Sequence, residues 1–486
     1  MKNFQTMKYQ KEGNKLLSVE ERIQLLPEYD DKLSKLWEQV RPTFTSKIIV
    51  LDDDPTGVQT VHGVPVFTNW EEESIEGIFD EERQLIFILT NSRAFSKKHT
   101  EEVHTVIAER ISKVAQQRGQ SFVLISRSDS TLRGHYPLET EVLKNTLEKN
   151  SASRIDGEII IPFFKEGGRL TIDDVHYVLQ NNRYVPAAET EFALDRMFSF
   201  SHSNLKQYVE EKTASQYSAD QVISITLDEL RALNISAIKE KLMQVTDFNK
   251  VIVNAYTEED LKVFSMALIE VMNQGKSFIF RTAASFTKVI GNISSKPLLP
   301  REQLVSTATE NGGLIVIGSH VKKTTEQLAI LQQLKDVKFI EFHCALVSEK
   351  AAFEAEIKQI QQQVNDSIVA GQSVCVYTSR ELLKLPNISR EAELAMSVEI
   401  SNAVTSFVKN CRPQPRFVIA KGGITSSDVG TNGLGVKKAE VLGQVAPGVP
   451  VWLTDTGSTF PSIPYIIFPG NVGAPDTLKI VVESLI

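Results

Sequence analysis

The chain has 486 residues, more than a single hydrophobic core usually organises, so at least two domains are expected. Its 53 Lys and Arg residues against 61 Asp and Glu residues give a net charge of −8 without a basic block, which argues against a nucleic-acid partner. Three widely separated cysteines, a polar N-terminus and the lack of the roughly 20-residue apolar run that a bilayer requires predict a cytoplasmic protein with no membrane segment.

Residues 1–45 are predicted to form an N-terminal helical arm. Ser18 and Glu21 have the spacing of a capping box, apolar residues then recur at helical spacing, and Arg41-Pro42 ends the pattern. Such an apolar stripe is typical of a helix that packs on its own domain or on a second copy of the chain. A homodimer is therefore one possible assembly.

From residue 46 onward, short apolar runs alternate with amphipathic stretches. The runs at 48–51, 85–89, 122–125 and 159–161 are typical of strands buried on both faces. A second series of this kind begins at 314, after a Gly- and Pro-containing stretch at 291–313. We therefore predict an α/β fold of two domains, 46–300 and 301–486, each a largely parallel sheet flanked by helices.

Acids and arginines follow the strands of the first domain. Asp53 and Asp54 follow the first strand, Arg93 the second, and a loop from Arg127 to Gly134 the third. The carboxyl ends of parallel strands line one crevice, so these loops are expected to converge on a small anion. Within the third loop Asp129 could accept a proton from a substrate hydroxyl; alternatively, Asp129 or Ser130 could cap the next helix.

Glycines follow the strands of the second domain. They occur at Gly318, at Gly422 and Gly423, and at Gly470 and Gly473, each time before a predicted helix. Glycine after a buried strand allows the backbone to approach a phosphate, so three such loops favour a nucleotide. Their spacing matches neither a Walker loop nor a dinucleotide fingerprint.

These landmarks resemble the four-carbon acid sugar kinase family, which phosphorylates acids such as threonate and erythronate with ATP. The resemblance runs from about Lys47 to the C-terminus and rests on Asp53-Asp54-Pro55-Thr56-Gly57, on 129–134, on Gly168-Arg169 and on Gly422-Gly423-Ile424-Thr425. The chain departs from the family pattern at Arg127-Ser128, His135 and Phe468-Pro469.

The resemblance implies an ATP-dependent kinase that uses Mg²⁺, with metal ligands left open and with the acid and ATP as its partners. The expected catalytic residues are Asp129, Asp53 and Asp54. The expected substrate-binding residues are Thr56, Gly57, Arg93, Arg127, Ser130, Arg133 and Arg169. The expected nucleotide-binding residues are Ser319, Gly422, Gly423, Ile424, Thr425, Gly470 and Gly473.

Two other interpretations stay open at this stage. A strand followed by Asp52 and Asp54 also fits the first motif of haloacid-dehalogenase-like phosphatases, with Asp52 as nucleophile and Asp54 as acid/base, and with later motifs at Thr90, Lys165 and Asp173-Asp174. A sensor that binds a sugar acid without turnover is the other.

Overall fold

The computed structural model describes residues 9–10, 16–29, 31–151, 154–381 and 390–486. Within these ranges none of the helices combines the length and the apolar character that a bilayer crossing demands. The chain divides into two compact units, one formed by Met1–Ile48 and Lys97–Asn292 and the other by Ile49–Ser96 and Ile293–Ile486. The domain bounds expected from the sequence, 1–45, 46–300 and 301–486, stay a prediction.

The strands are β1 Tyr9–Gln10, β2 Leu16–Leu17, β3 Lys47–Asp52, β4 Val64–Phe67, β5 Leu85–Leu89, β6 Phe122–Arg127, β7 Gly157–Ile161, β8 Arg169–Ile172, β9 Val175–Gln180, β10 Arg183–Pro186, β11 Ile223–Ile225, β12 Asn249–Val253, β13 Phe278–Thr282, β14 Leu314–Ile317, β15 Val337–Phe342, β16 Ser373–Thr378, β17 Val418–Lys421, β18 Lys438–Ala446, β19 Val449–Thr454 and β20 Pro464–Phe468.

The helices are α1 Val19–Gln24, α2 Lys32–Val40, α3 Glu72–Asp80, α4 Lys97–Arg118, α5 Leu138–Asn150, α6 Leu205–Lys212, α7 Leu227–Arg231, α8 Ile235–Met243, α9 Glu258–Asn273, α10 Ala284–Ile290, α11 Lys322–Leu331, α12 Lys350–Val369, α13 Arg390–Lys409, α14 Gly423–Asp428 and α15 Thr477–Leu485.

The first unit contains a parallel sheet in the order β11-β12-β7-β13-β6. At its carboxyl edge Thr282 of β13 is paired with Arg127 of β6 and with Ile161 of β7. The loops that leave these strands therefore start side by side. A separate antiparallel sheet, β10-β9-β8, has Arg169 at the start of β8.

The N-terminal arm packs on this first unit. Trp37 donates a hydrogen bond to the side chain of Asn292 at 2.9 Å, and Arg41 donates to the carbonyl oxygen of Ile290 at 2.7 Å. The Ser18–Glu21 capping box is formed, which confirms the predicted helix start. The arm is thus held by its own chain.

The second unit contains the strand order β3-β5-β4-β18-β19-β20-β17-β14-β16-β15. The run from β20 to β15 is parallel, and Lys421 of β17 is paired with both Ile317 of β14 and Phe468 of β20. The three glycine loops therefore start at one edge. β18 is antiparallel to β4 and β19. Each unit is thus a mostly parallel sheet with helices, as predicted for the fold class.

Candidate active site

The loop after β3 is held together by its own carboxylates. Oδ1 of Asp54 accepts hydrogen bonds from the backbone nitrogen of Thr56 at 2.9 Å and from its hydroxyl at 2.6 Å. Asp52 is buried, and a Cβ atom at position 57 would overlap with its carboxylate. The turn therefore requires Gly57 and presents Asp54 in a fixed orientation.

Arg93 follows β5 and binds both neighbouring acids. Its Nε and Nη2 donate to the two carboxylate oxygens of Asp53 at 3.0 and 2.6 Å, and Nη1 donates to Oδ2 of Asp54 at 3.4 Å. Asp53 is buried, whereas 23% of the Arg93 side chain is exposed. The bidentate pair fixes the Asp53 carboxylate, and a bound anion would contact only the exposed side of the Arg93 guanidinium.

The three glycine loops meet at Ser319. A Cβ atom at Gly422 would lie 2.9 Å from Cβ of Ser319, and one at Gly470 would lie 3.0 Å from its Oγ. Gly422 also has a φ of +122°, a backbone conformation that residues other than glycine rarely adopt. Thr425 reaches the same place, since its hydroxyl would block a side chain at Gly318. Close backbone approach is thus built into this edge of the sheet.

The other two predicted nucleotide residues have different surroundings. Ile424 is 62% exposed. Gly473 has a φ of +85° and packs against Thr477 in the first turn of α15.

The acidic loop and one glycine loop face each other within the second unit. A Cβ atom at Gly423 would lie 3.2 Å from Oδ2 of Asp54. The carboxylate therefore lies next to the first residue of α14, at the end of this glycine loop. Among the described residues, no group of three His, Cys, Asp or Glu side chains forms a metal centre by itself.

Lys421, the last residue of β17, is a buried lysine that was not among the site residues predicted from the sequence. Its ammonium group donates to the carbonyl oxygen of Pro469 at 2.9 Å and lies 4.2 Å from the ring centre of Phe468. Burial, with a smaller contribution from the charge of Lys323, lowers its pKa to about 7. Lys421 thus links two of the glycine loops through a group that titrates near neutral pH.

Arg380 follows β16 and was also missed. Its Nη2 donates to the carbonyl oxygen of Ser319 at 2.7 Å and to the hydroxyl of Thr325 at 2.8 Å. Burial and the nearby charge of Arg380 lower the pKa of His320. The sequence does indicate Arg380 in one way, because Arg380 follows another strand of the same parallel run, β16.

In the first unit, the loop after β6 is organised by Asp129. Its Oδ2 accepts from the backbone nitrogen of Thr131 at 3.1 Å and from Nε of Arg133 at 2.9 Å, and its Oδ1 accepts from Nη2 of Arg133 at 3.2 Å. The next helix begins only at Leu138, so Asp129 caps its own turn and not that helix. Two of the three guanidinium nitrogens of Arg133 therefore donate to Asp129.

A buried histidine supports this loop. Nε2 of His176 lies 2.8 Å from the carbonyl oxygen of Ser130, and Nδ1 lies 3.0 Å from the hydroxyl of Thr171. A carbonyl oxygen only accepts, so Nε2 carries the proton and Nδ1 accepts from Thr171. Burial lowers the pKa of His176 to about 4, so the ring is neutral at neutral pH.

A buried arginine and tyrosine hold the other end of the loop. Nη2 of Arg281 lies 3.1 Å from the carbonyl oxygen of Arg133 and 3.4 Å from that of Leu132. The hydroxyl of Tyr208 donates to the same Leu132 oxygen at 2.9 Å. These contacts hold a backbone in which Leu132 has a φ of +68°.

The remaining predicted residues of the first unit lie around this loop. Arg127 is buried at the end of β6, and Ser130 is buried in the loop itself. Arg169 opens β8, where burial lowers the pKa of its guanidinium against the opposing field of Asp129. The predicted site residues thus form two groups, one in each compact unit.

The two halves of the chain match two family models. Residues 48–290 match a sugar-binding N-terminal domain, and residues 314–478 match a nucleotide-binding C-terminal domain. The chain belongs to the four-carbon acid sugar kinase family. This membership confirms the resemblance seen in the sequence.

Two solved structures have a fold similar to that of this chain. A Haemophilus influenzae protein of the family model DUF1537 is 17% identical, with a TM-score of 0.59, over 90% of this chain and 100% of its own. A Salmonella typhimurium LT2 protein provisionally named a tRNA synthase is 15% identical, with a TM-score of 0.62, over 91% of this chain and 98% of its own. None of the curated proteins compared with the chain matches it.

Proposed function

We propose that the chain transfers the γ-phosphoryl group of ATP to a hydroxyl group of a small sugar acid, with four carbons as the expected length. The observation that carries this proposal is the approach of Asp54 to Gly423. A carboxylate over a glycine loop in a nucleotide-binding domain suits the chemistry of phosphoryl transfer, in which charge must be neutralised beside the phosphates.

In this proposal the nucleotide phosphates lie against the loops that meet at Ser319. Close approach of the backbone, permitted by Gly422 and Gly470, would let N–H groups donate to phosphate oxygens. The residues assigned to the nucleotide are Ser319, Gly422, Gly423, Ile424, Thr425, Gly470 and Gly473.

Mg²⁺ suits the acidic loop. This ion is usually bound by one or two carboxylates together with substrate phosphates. Asp54 uses Oδ1 for Thr56, and its Oδ2, which accepts from Arg93 at 3.4 Å, faces Gly423. Asp54 would therefore hold the ion, with Asp53 beside it and paired with Arg93. Bound Mg²⁺ would neutralise phosphate charge.

The sugar acid is assigned to the loop after β6 and its surroundings. Two hydrogen bonds from Arg133 stabilise Asp129 as a carboxylate, the form that accepts a proton from a substrate hydroxyl. Asp129 already accepts from the backbone nitrogen and the hydroxyl of Thr131 and from two nitrogens of Arg133, so in this proposal the substrate hydroxyl would replace one of these donors. The residues of the first unit assigned to the acid are Arg127, Ser130, Arg133 and Arg169. The family resemblance assigns Thr56, Gly57 and Arg93 of the second unit to the acid as well.

The geometry of Asp52 does not favour the phosphatase alternative. A nucleophilic aspartate must offer an oxygen to an incoming phosphate ester. Asp52 is buried, and its carboxylate lies against Gly57. We therefore assign Asp52 a role in shaping the acidic loop.

ADP release in the presence of ATP, Mg²⁺ and a panel of four- to six-carbon sugar acids tests this function, with the neutral sugars of the same length as controls. We expect release to depend on an acid. A neutral sugar as the best substrate would contradict the assignment of the arginines, and ligand binding without ADP release would indicate a sensor.

A further inference from the structure

A segment outside every sequence motif lies against two of the four arginines assigned to the acid, Arg133 and Arg169. The ring centre of Phe192 lies 5.0 Å from Cζ of Arg133 and 5.9 Å from Cζ of Arg169. Both distances are within the range of a cation–π contact. One aromatic ring therefore covers one side of both guanidinium groups.

Asp195, three residues after Phe192, forms an ion pair with the third guanidinium nitrogen of Arg133. Its Oδ2 lies 3.6 Å from Nη1 of Arg133, whose other two nitrogens bond to Asp129. The other oxygen, Oδ1, accepts from the backbone nitrogens of Met197 at 2.9 Å and Phe198 at 3.1 Å. The carboxylate is thus held by its own turn.

The segment that carries these side chains is anchored at both ends. Ala193 and Phe198 are buried, and the ring of Phe198 stands edge-on to His135 at 4.9 Å. The backbone nitrogen of Phe200 donates to the carbonyl oxygen of Ala193 at 3.3 Å. Residues 190–198 therefore form a fixed wall beside the loop of Asp129.

We propose that Asp195 determines the charge of the acid that this wall admits, so that the site prefers one carboxylate over two. The inference rests on the proposed function. Two carboxylates, Asp129 and Asp195, already pair with Arg133, and the charges of Asp129 and Glu191 act on Arg169. Repulsion by Asp195 acts on each negative charge of a ligand, so a diacid is penalised more than a monoacid.

Calorimetric titration with threonate and with tartrate of the same configuration tests this role without requiring turnover. We expect wild type to bind threonate about tenfold more tightly than tartrate, and Asp195→Asn to reduce this ratio several-fold. The asparagine oxygen can still accept from the nitrogens of Met197 and Phe198, so the turn is retained. Asp195→Ala removes the turn contacts as well, and Glu189→Gln removes an exposed charge from the neighbouring turn.

The outcomes separate this inference from the proposed function. A ratio that falls in Asp195→Asn and stays at the wild-type value in Glu189→Gln supports it. An unchanged ratio of the two affinities in Asp195→Asn overturns it. This includes the case in which Asp195→Asn and Asp195→Ala weaken the binding of threonate and of tartrate by the same factor. Acid-dependent ADP release together with a wild-type preference for tartrate would leave the kinase standing and remove this inference, whereas ATP binding without binding of either acid would remove both.

Discussion

Arg281 lies 3.1 Å, through its Nη2, from the backbone carbonyl oxygen of Arg133. The guanidinium is buried at the end of β13 and also contacts the hydroxyl of Tyr208 at 3.2 Å. A residue with no place in any motif thus supports the loop that carries the proposed base.

Arg281→Met should lower the free energy of unfolding by about 3 kcal/mol, because it leaves buried carbonyl oxygens with fewer donors. Urea denaturation measures this change. Arg183→Met, at an exposed arginine of the same unit, is the control and should have almost no effect. Equal midpoints for both variants would contradict the supporting role.

Gly423→Val should abolish ATP binding, because its side chain would enter the space between the glycine loop and Asp54. Calorimetry with ATP and Mg²⁺ measures the affinity, and thermal unfolding checks that the fold is retained. Gly457→Val is the matched control, since a Cβ atom there would meet only Asp455 at 3.9 Å. Unchanged affinity in Gly423→Val would move the nucleotide elsewhere.

His176 should make the protein less stable as the pH falls. Its pKa is about 4 in the folded state and about 6.5 in an unfolded chain, so the unfolded state binds more protons between these values. The contribution of His176 to the free energy of unfolding is therefore fully present above about pH 6.5, and about 3 kcal/mol of it is lost as the pH approaches 4. Urea midpoints of wild type and His176→Gln from pH 7 to 4.5 should converge, and parallel curves would show that His176 does not titrate in this way.

Lys421 should have the corresponding effect at higher pH. Its pKa is about 7 when folded and about 10.4 when unfolded, so the unfolded state again binds more protons between these values. Wild type should therefore gain stability relative to Lys421→Met as the pH rises from 7 to 9.5, by about 3 kcal/mol. A constant difference between the two urea midpoints over that range would indicate an amine that stays charged.

Uninterrupted apolar runs made much of the fold predictable. The runs at 48–51, 85–89 and 159–161 became strands because buried parallel sheets require apolar residues on both faces. β18 contains no uninterrupted apolar run, because its residues alternate between buried and partly exposed, and its pairing with β4 joins segments far apart in the sequence. Periodicity reports neither partner nor register.

Residues of the candidate site could be proposed from the sequence where polar residues or glycines follow a strand. Asp54, Gly423 and Asp129 could be named because polar residues and glycines after apolar runs are conspicuous. Lys421 and Arg281 could not be given roles, because burial and carbonyl partners are properties of the tertiary structure. Phe192 and Asp195 lie between predicted elements, where no pattern indicates a neighbour.

Transfer of the labelled γ-phosphoryl group from ATP to a sugar acid, detected in the product by mass spectrometry, tests the central claim most directly. Wild type, Asp129→Asn and Asp52→Asn should be compared with ATP and the acid, and separately with a generic phosphate ester. We predict a phosphorylated acid from wild type and a loss of at least about 100-fold in Asp129→Asn, since general-base catalysis contributes that much. Ester hydrolysis lost only in Asp52→Asn, with no label in the acid, would contradict the account.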